Sequence, residues 1–269
     1  MMKSVSFGSC NKQRYNQSFW PRIIDETNPD LWLWIGDAFY TKTTKIDGLQ
    51  QALTNLTRDE FYTNFTHHTD IDGVWDDHDY GVNDAGKHVS DYEARRSLYI
   101  HFIGADETNY PGQGSRKGLY KAIDLDLSSS SGVSTKVKVI LLDTRSFRDN
   151  HFIRSIGEFY FPYSAMIAAG IRSLCAILGL GLNYDGDVLG EEQSQWLRHE
   201  LPSSSASFHI IVSSIQVLTS NPAVESWGHF PVAKRKLIET IAECDPPGLV
   251  FLSGIVIVVS PSLFVSTHL

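Results

Sequence analysis

Acidic side chains follow two short apolar segments of this 269-residue chain. The first segment, residues 31–35, ends at Gly36 and is followed by Asp37 and Tyr40. The second is Val-Trp at 74–75, and it leads into Asp-Asp-His-Asp at 76–79. A desolvated carboxylate is unfavourable unless it is paired or bound to a metal. Asp37 alone is therefore either a turn carboxylate bonded to nearby amides or a metal ligand, and the second acidic group favours cations.

The residue types in these groups indicate which cations would fit. Asp and Asn oxygens suit Ca²⁺, Mg²⁺ or Mn²⁺, whereas a thiolate from Cys10 and a phenolate from Tyr40 would suit ferric iron. Two ions bridged by Asp37 would promote phosphoryl displacement and lower the pKa of a bound water. Carboxylates beside His78 are expected to raise its pKa, so that it protonates a leaving alkoxide or stabilises phosphate charge. The planar fork of Arg145 suits phosphate oxygens.

The elements that would hold these residues alternate between strands and helices, which indicates an α/β fold. Predicted strands cover residues 5–7, 31–35, 119–127, 136–142, 208–218 and 249–253. Predicted helices cover residues 21–26, 49–64, 90–102, 189–201 and 232–244, with Ser90 as a cap. Reactive side chains follow the strands, at Cys10, Asp37, Asp77, His78, Asp143, Arg145, Ser213 and Gln216, and such strand ends are where open α/β sheets bind ligands. Residues 153–182 are interpreted as an insertion or lid.

The composition limits the classes of function. A net charge of −8 argues against a nucleic-acid surface. Three widely spaced cysteines predict neither a disulfide framework nor a zinc site. No apolar stretch of signal-peptide length follows the N-terminus, so the compartment stays open. The 18 uncharged residues from 248 to 265 are just long enough to span a membrane. We favour a soluble protein, because the pattern is closer to that of an aggregation-prone strand than to that of a membrane helix.

Six motifs occur in an order that resembles a known family. They are FGSC at 7–10, PDLWLWIGDAFY at 29–40, GVWDDHDYGVND at 73–84, VKVILLDTRSFRD at 137–149, HIIVSSIQVL at 209–218 and ESWGHFP at 225–231. From about residue 5 to residue 254 the chain resembles the PhoD-like alkaline phosphatase/phosphodiesterase family of the metallophosphatase superfamily. The acidic motif after a Gly-Asp motif is the specific part of this resemblance.

This resemblance implies a four-layer α/β/β/α sandwich with metals at the strand ends. It implies hydrolysis of phosphomonoesters and phosphodiesters with a ferric ion and calcium ions, on a small-molecule or lipid phosphoester. By position, it implies iron ligands at Cys10 and Tyr40, a bridging ligand at Asp37, a second metal site at Asp77 and Asn83, an acid or charge stabiliser at His78, and a phosphate contact at Arg145. The oligomeric state stays open.

The chain departs from the family after Gly254. The family continues with Gly-Asp-x-His, but Ile255 and Ile257 occupy the Asp and His positions here. We therefore expect one metallophosphatase domain over residues 1–254, incomplete at its C-terminus, followed by a divergent apolar tail over 255–269. Loss of a carboxylate ligand predicts impaired hydrolysis. The alternative is an inactive protein of the same fold that binds metal or phosphate without turnover.

Overall fold

The computed structural model describes residues 4–41, 43–81, 83–106, 110, 116–128, 134–153, 163–219 and 221–254. The strands in this part of the chain are β1 (Val5–Gly8), β2 (Leu31–Ile35), β3 (Asp70–Val74), β4 (Lys121–Ser128), β5 (Ser134–Leu142), β6 (Phe208–Ser213) and β7 (Leu249–Ser253). The first three form a parallel sheet in the order β1-β2-β3. The others form a second sheet in the order β4-β5-β6-β7, parallel except for the antiparallel pair β4 and β5.

Apolar residues from several helices pack against each of the two sheets. They are α1 (Phe19–Thr27), α2 (Ile46–Thr57), α3 (Glu60–His68), α4 (Asp77–Tyr80), α5 (Tyr92–Phe102), α6 (Ser164–Ile177), α7 (Gly190–Glu200) and α8 (Pro231–Cys244), with a 3₁₀ turn at Trp227–His229. In the described part of the chain, no helix is long and apolar enough to span a membrane.

Strand β5 shows how the layers are stacked, because alternate side chains of a strand point to opposite faces. Val139 and Leu141 belong to the apolar cluster of the first sheet and its helices. Ile140 and Leu142 belong to a second cluster with residues of α7 and α8. The two sheets are therefore packed face to face between two helical layers, and the predicted α/β/β/α sandwich is confirmed.

Strand β2 lies at the centre of the first sheet, and all five of its residues are buried. Trp32 and Trp34 contact Trp20 of α1 edge-on, with ring centroids 5.2 and 5.6 Å apart. Such aromatic pairs add stabilisation beyond their buried area. This packing fixes β2 and therefore also the turn that carries Asp37.

Several predicted boundaries were wrong for identifiable reasons. Residues 49–64 form two helices, because the Asp59 carboxylate accepts the N–H groups of Phe61 and Tyr62 and begins a new helix there. Ser90 does not cap α5, which begins after Asp91 in a left-handed conformation. Strand β6 ends at Ser213, whose hydroxyl donates to the Ile215 carbonyl instead of continuing the ladder.

Two sequence predictions lie wholly or partly outside the described residues. The proposed insertion at 153–182 contains α6, whereas residues 154–162 are outside the described part. The tail at 255–269, with its divergent residues, is entirely outside it. The expected division at residue 254 and the incomplete C-terminus therefore stay predictions.

Candidate metal centre

The ends of β1 and β2 are joined by backbone hydrogen bonds that bring Cys10 and Asp37 together. The Cys10 N–H donates to the Gly36 carbonyl at 3.3 Å, and the Asn11 N–H donates to the Asp37 carbonyl at 2.9 Å. Cys10 and Asp37 have φ angles of +58° and +54°, a left-handed region that non-glycine residues seldom adopt. Such strain persists where surrounding structure enforces it, often at functional sites.

Gly36 lets this turn lie against the neighbouring strand ends. Its φ is +111°, and a Cβ there would lie 2.8 Å from the Asp76 Cβ and 3.0 Å from the Ser214 Cβ. A side chain would therefore separate β2 from the second acidic group. Glycine is needed at this position for both conformation and close approach.

Cys10, Asp37 and Tyr40 form one hydrogen-bonded group. The Tyr40 hydroxyl donates a hydrogen bond to Asp37 Oδ2 at 2.6 Å. It also shares a hydrogen bond with the Cys10 thiol. Burial, reinforced by the charge of Asp37, raises the pKa of the Cys10 thiol to about 12. Burial raises the pKa of the Tyr40 hydroxyl as well. Without a cation, the thiol and the hydroxyl both keep their protons. A cation that binds to these two atoms must therefore displace the two protons.

Asp37 is a buried carboxyl group whose charged form is opposed by its surroundings. It is fully buried, and its carboxylate accepts the Tyr40 hydroxyl at 2.6 Å and the His78 N–H at 3.3 Å. Burial and the negative charges of three neighbouring aspartates raise the pKa of Asp37 well above its usual value. Those neighbours are Asp77, Asp76 and Asp79. A cation would remove this repulsion.

Asp79 holds the acidic turn in place. Its two carboxylate oxygens accept the Asp76 N–H at 3.0 Å and the Phe39 N–H at 3.2 Å. Its carboxylate therefore ties α4 to the loop after β2. Burial raises the pKa of Asp79 to about 8 despite these bonds. Asp79 thus has a positioning role. Asp77, two residues earlier on α4, lines the cleft instead.

Two groups of potential cation ligands share Asp77. One consists of Asp37, Asp77 and His78, and the other of Asp77, Asp84 and Glu225. Within each group the ligand atoms lie within 4.8 Å of one another. The sequence predicted Asp37 as the bridge, whereas Asp77 is the residue common to both groups. Asn83 lines the same cleft of about 360 Å³ as these groups.

Sequence reasoning did not select Asp84 and Glu225 as ligands. Both lie inside motifs that were identified, Asp84 directly after Asn83 and Glu225 at the start of ESWGHFP. Asp84 is buried, and its N–H donates to Asp77 Oδ2 at 2.8 Å. An acidic residue beside a predicted ligand was the available signal for Asp84, but nothing local distinguished Glu225.

The His78 ring lies against the Tyr40 ring, with centroids 4.1 Å apart and an angle of 38° between the ring planes. Its Nδ1 is buried without a hydrogen-bond partner among the described residues. The expectation of a raised His78 pKa was wrong: burial lowers the pKa, Arg145 and Lys12 lower it further, and this outweighs the opposite effect of Asp77. The imidazole is therefore neutral near pH 7.

Arg145 is fully buried and engaged by two carboxylates. Its Nε and Nη2 lie 2.7 and 2.5 Å from Asp76 Oδ1. Its two terminal nitrogens donate to the two oxygens of Glu225 at 3.1 and 2.8 Å. The guanidinium thus positions Asp76 and Glu225, and this geometry does not turn it toward the open cleft. The phosphate contact inferred for Arg145 stays a prediction.

The remaining strand-end side chains have local partners. The Asp143 carboxylate accepts the backbone N–H groups of Leu119, Arg145 and Ser146 and the Ser146 hydroxyl. The Ser213 hydroxyl accepts the Trp227 indole N–H. Gln216 forms a bridge with Ser226 beyond the sheet. These contacts fix the loops around the cleft.

Gly254, after β7, completes the wall of the cleft. A Cβ at this position would lie 2.6 Å from the Ile35 carbonyl oxygen and 2.8 Å from that of Ser214. The chain therefore passes closely between the ends of β2 and β6. The cationic side chains that line the cleft are Lys12 and Arg172, among the described residues.

This chain is similar to known proteins both in sequence family and in fold. A family model described as PhoD-like phosphatase matches residues 111–256, more than half of the chain. The solved structure of PhoD matches with a TM-score of 0.66 at 16% identity, which shows a common fold. The match covers 94% of this chain and 50% of that one, so this chain spans about half of that length. No curated protein matches the sequence.

Proposed function

This chain belongs to the PhoD-like phosphatase family, and we propose that it is a metal-dependent hydrolase of phosphoric monoesters and diesters. The observation that carries the proposal is the buried carboxyl group of Asp37, surrounded by three other aspartates and left without a cationic partner among the described residues. Structural carboxylates are normally paired or hydrogen-bonded. This one fits a cation better than it fits a structural role.

The donor atoms support two different cations. Cys10, Asp37 and Tyr40 combine a sulfur, a carboxylate and a phenol, which suits Fe³⁺. On the other side of Asp77, oxygen donors from Asn83 suit Ca²⁺. Asp84 and Glu225 would complete that second set. His78 Nδ1 and Asp76 Oδ2 are both buried without a hydrogen-bond partner among the described residues, which supports a ligand-binding role for this cluster.

When bound, the cations supply charge neutralisation and a nucleophilic water at neutral pH. The chain's own residues would position the ester. A neutral His78 carries one N–H that can donate to a phosphate oxygen, so we propose charge stabilisation rather than acid catalysis for this residue. Lys12 lies at the cleft, with its ammonium 5.9 Å from the Tyr40 ring centre, and would attract the anionic ester.

The activity is proposed to be impaired in this chain. Ile255 and Ile257 replace the Asp and His that the family motif has after Gly254, and Gly254 lines the cleft. An isoleucine side chain cannot supply the carboxylate ligand that the family motif has, so we expect a cation to be bound more weakly. The same observation supports a second candidate, an inactive protein that binds cations or phosphate without turnover.

Hydrolysis of bis-p-nitrophenyl phosphate with added Fe³⁺ and Ca²⁺ tests the proposal. We expect slow release of p-nitrophenol that Asp37→Ala abolishes. Asp25→Ala, on the exposed side of α1, serves as a matched control and should keep the wild-type rate. Turnover that persists in Asp37→Ala would refute the assignment. Cation binding by a folded protein without turnover would favour the inactive binder.

A further inference from the structure

A second pocket, of about 260 Å³, lies beside the metal cleft. Most of its apolar lining comes from the loop around Phe152 and from helix α6 with the turn that follows it. The apolar side chains of these segments include Phe152, Ile171, Ala176, Leu180 and Leu182. A concave apolar pocket with a few polar groups is typical of a small-molecule site.

Arg172 connects the pocket to the cleft, because its side chain lines both. Its Nη1 lies 3.3 Å from Asp84 Oδ2, and its Nη2 donates to the Ala223 carbonyl at 3.1 Å. Its Nε is buried without a hydrogen-bond partner among the described residues. Arg172 is the one charged residue between positions 163 and 184. Its guanidinium can meet an anion at the boundary of the two cavities.

The inner end of the pocket carries two imidazoles, His151 and His229, with ring centroids 5.3 Å apart. One nitrogen of each ring, His151 Nε2 and His229 Nδ1, is buried without a hydrogen-bond partner among the described residues. His151 Nε2 lies 3.5 Å from Glu225 Oε1, and the other nitrogen of His229 lies 3.1 Å from the Pro222 carbonyl oxygen. Apart from these imidazoles and Arg172, the pocket is lined by uncharged residues, so a neutral substituent with a single polar atom would fit.

We infer that this pocket is the subsite for an uncharged, largely apolar substituent of a phosphodiester, with Arg172 on a non-bridging oxygen of its phosphate. The inference rests on the proposed function, since it places the phosphate in the metal cleft. The outer wall is open: Phe152 is 51% exposed and Leu182 is 70% exposed. A substituent longer than the pocket can therefore extend into solvent.

Cys175 allows the pocket to be tested without any cation or turnover, because it lines the pocket. The probes are uncharged dimethyl methylphosphonate and dimethyl butylphosphonate, added while the cysteines react with iodoacetamide and are analysed by mass spectrometry. Each buried methylene strengthens binding about threefold to fourfold. We expect the butyl probe to protect Cys175 at a concentration on the order of 30-fold lower than the methyl probe. Cys244, on α8, is the internal control and should label at the same rate throughout.

Two tryptophan variants of α6 separate filling of the pocket from general damage to the helix. Ala176→Trp fills the pocket and should abolish the difference between the probes. Leu174→Trp, at a 56% exposed position that does not line the pocket, should preserve it. With the anionic methyl- and butylphosphonates and bound cations, Arg172→Ala should weaken both probes equally, and Arg172→Lys should recover part of the loss.

Equal protection by the two uncharged probes would overturn the inference, as would protection of Cys244 to the same extent. Cys175 that does not react in the free protein would also overturn it, because another chain or segment would then cover the pocket. Selective protection without hydrolysis of bis-p-nitrophenyl phosphate would leave the subsite standing and refute the proposed function instead.

Discussion

Replacement of Arg145 by glutamine separates a structural role from a substrate contact. The wild-type guanidinium is fully buried between Asp76 and Glu225. Glu225 would keep Arg148, 3.3 Å away, after the substitution. The Asp76 carboxylate would keep the hydrogen bond from the Ser214 hydroxyl, at 2.8 Å, but lose both contacts to the guanidinium. The variant therefore leaves a buried carboxylate without its cation.

Loss of one partner from a buried ion pair typically costs about 3–5 kcal/mol, because the other charge stays desolvated. That cost is a large fraction of the 5–15 kcal/mol by which ordinary domains are stable. For a chain of this length it corresponds to a fall in melting temperature of roughly 6–20 °C. Arg22→Gln, which removes an exposed pair with Glu26, is the matched control and should change stability by less than about 1 kcal/mol.

The assay is urea unfolding of the metal-free protein, followed by tryptophan fluorescence. Adding Asp76→Asn to Arg145→Gln removes the orphaned charge, so the double variant should regain about 1–3 kcal/mol relative to Arg145→Gln alone. If Arg145→Gln unfolds at the wild-type urea concentration, the burial argument is refuted, and a phosphate contact becomes the better explanation for this residue.

The remaining predictions concern the acidic turn and its supports. Asp37→Asn should raise the melting temperature of the metal-free protein at pH 8 and remove the increase that cations produce; a lower melting temperature would contradict the repulsion described for Asp37. The folded-state pKa of Asp79 is raised from 3.8 to about 8, so the folded chain binds more protons than the unfolded chain between these values. Stability of the metal-free protein should therefore fall as pH rises from 4 to 8, and a rise in a pH series of melting curves would be inconsistent with it. Asp59→Ala should cost about 1 kcal/mol in urea unfolding through loss of the α3 cap, whereas an unchanged midpoint would show that the cap is dispensable.

Much of the fold could be predicted because its central strands are strongly apolar and sharply bounded. Strands β2 and β7 have the predicted limits, and each is followed by glycine. Strand β3 was not predicted as a whole, because Asp70 and Asp72 interrupt its apolar pattern. Among the described residues, β3 is an edge strand of the first sheet. Asp72 forms an ion pair with Lys121 of β4, with 2.7 Å between Oδ1 and Nζ. The extended conformation of such a strand is stabilised by contacts with other elements and not by its own sequence pattern.

The candidate site could be predicted in part, because its residues follow strands. Cys10, Asp37 and Tyr40 are brought together at adjacent strand ends, as the α/β pattern suggested. The protonation of His78 could not be predicted, because burial outweighs the charges that sequence proximity reveals. Glu225 could not be selected either, since its position beside Asp77 depends on how the two sheets are packed.

The most direct test of the two-cation site is metal analysis of the purified chain after equilibration with Fe³⁺ and Ca²⁺. We predict one iron and at least one calcium per wild-type chain. Cys10→Ser should lose iron and keep calcium, Glu225→Gln should lose calcium and keep iron, and Asp77→Asn should weaken both, because Asp77 belongs to both ligand groups. A chain that is folded yet retains neither metal, or variants with unchanged metal content, would contradict the account.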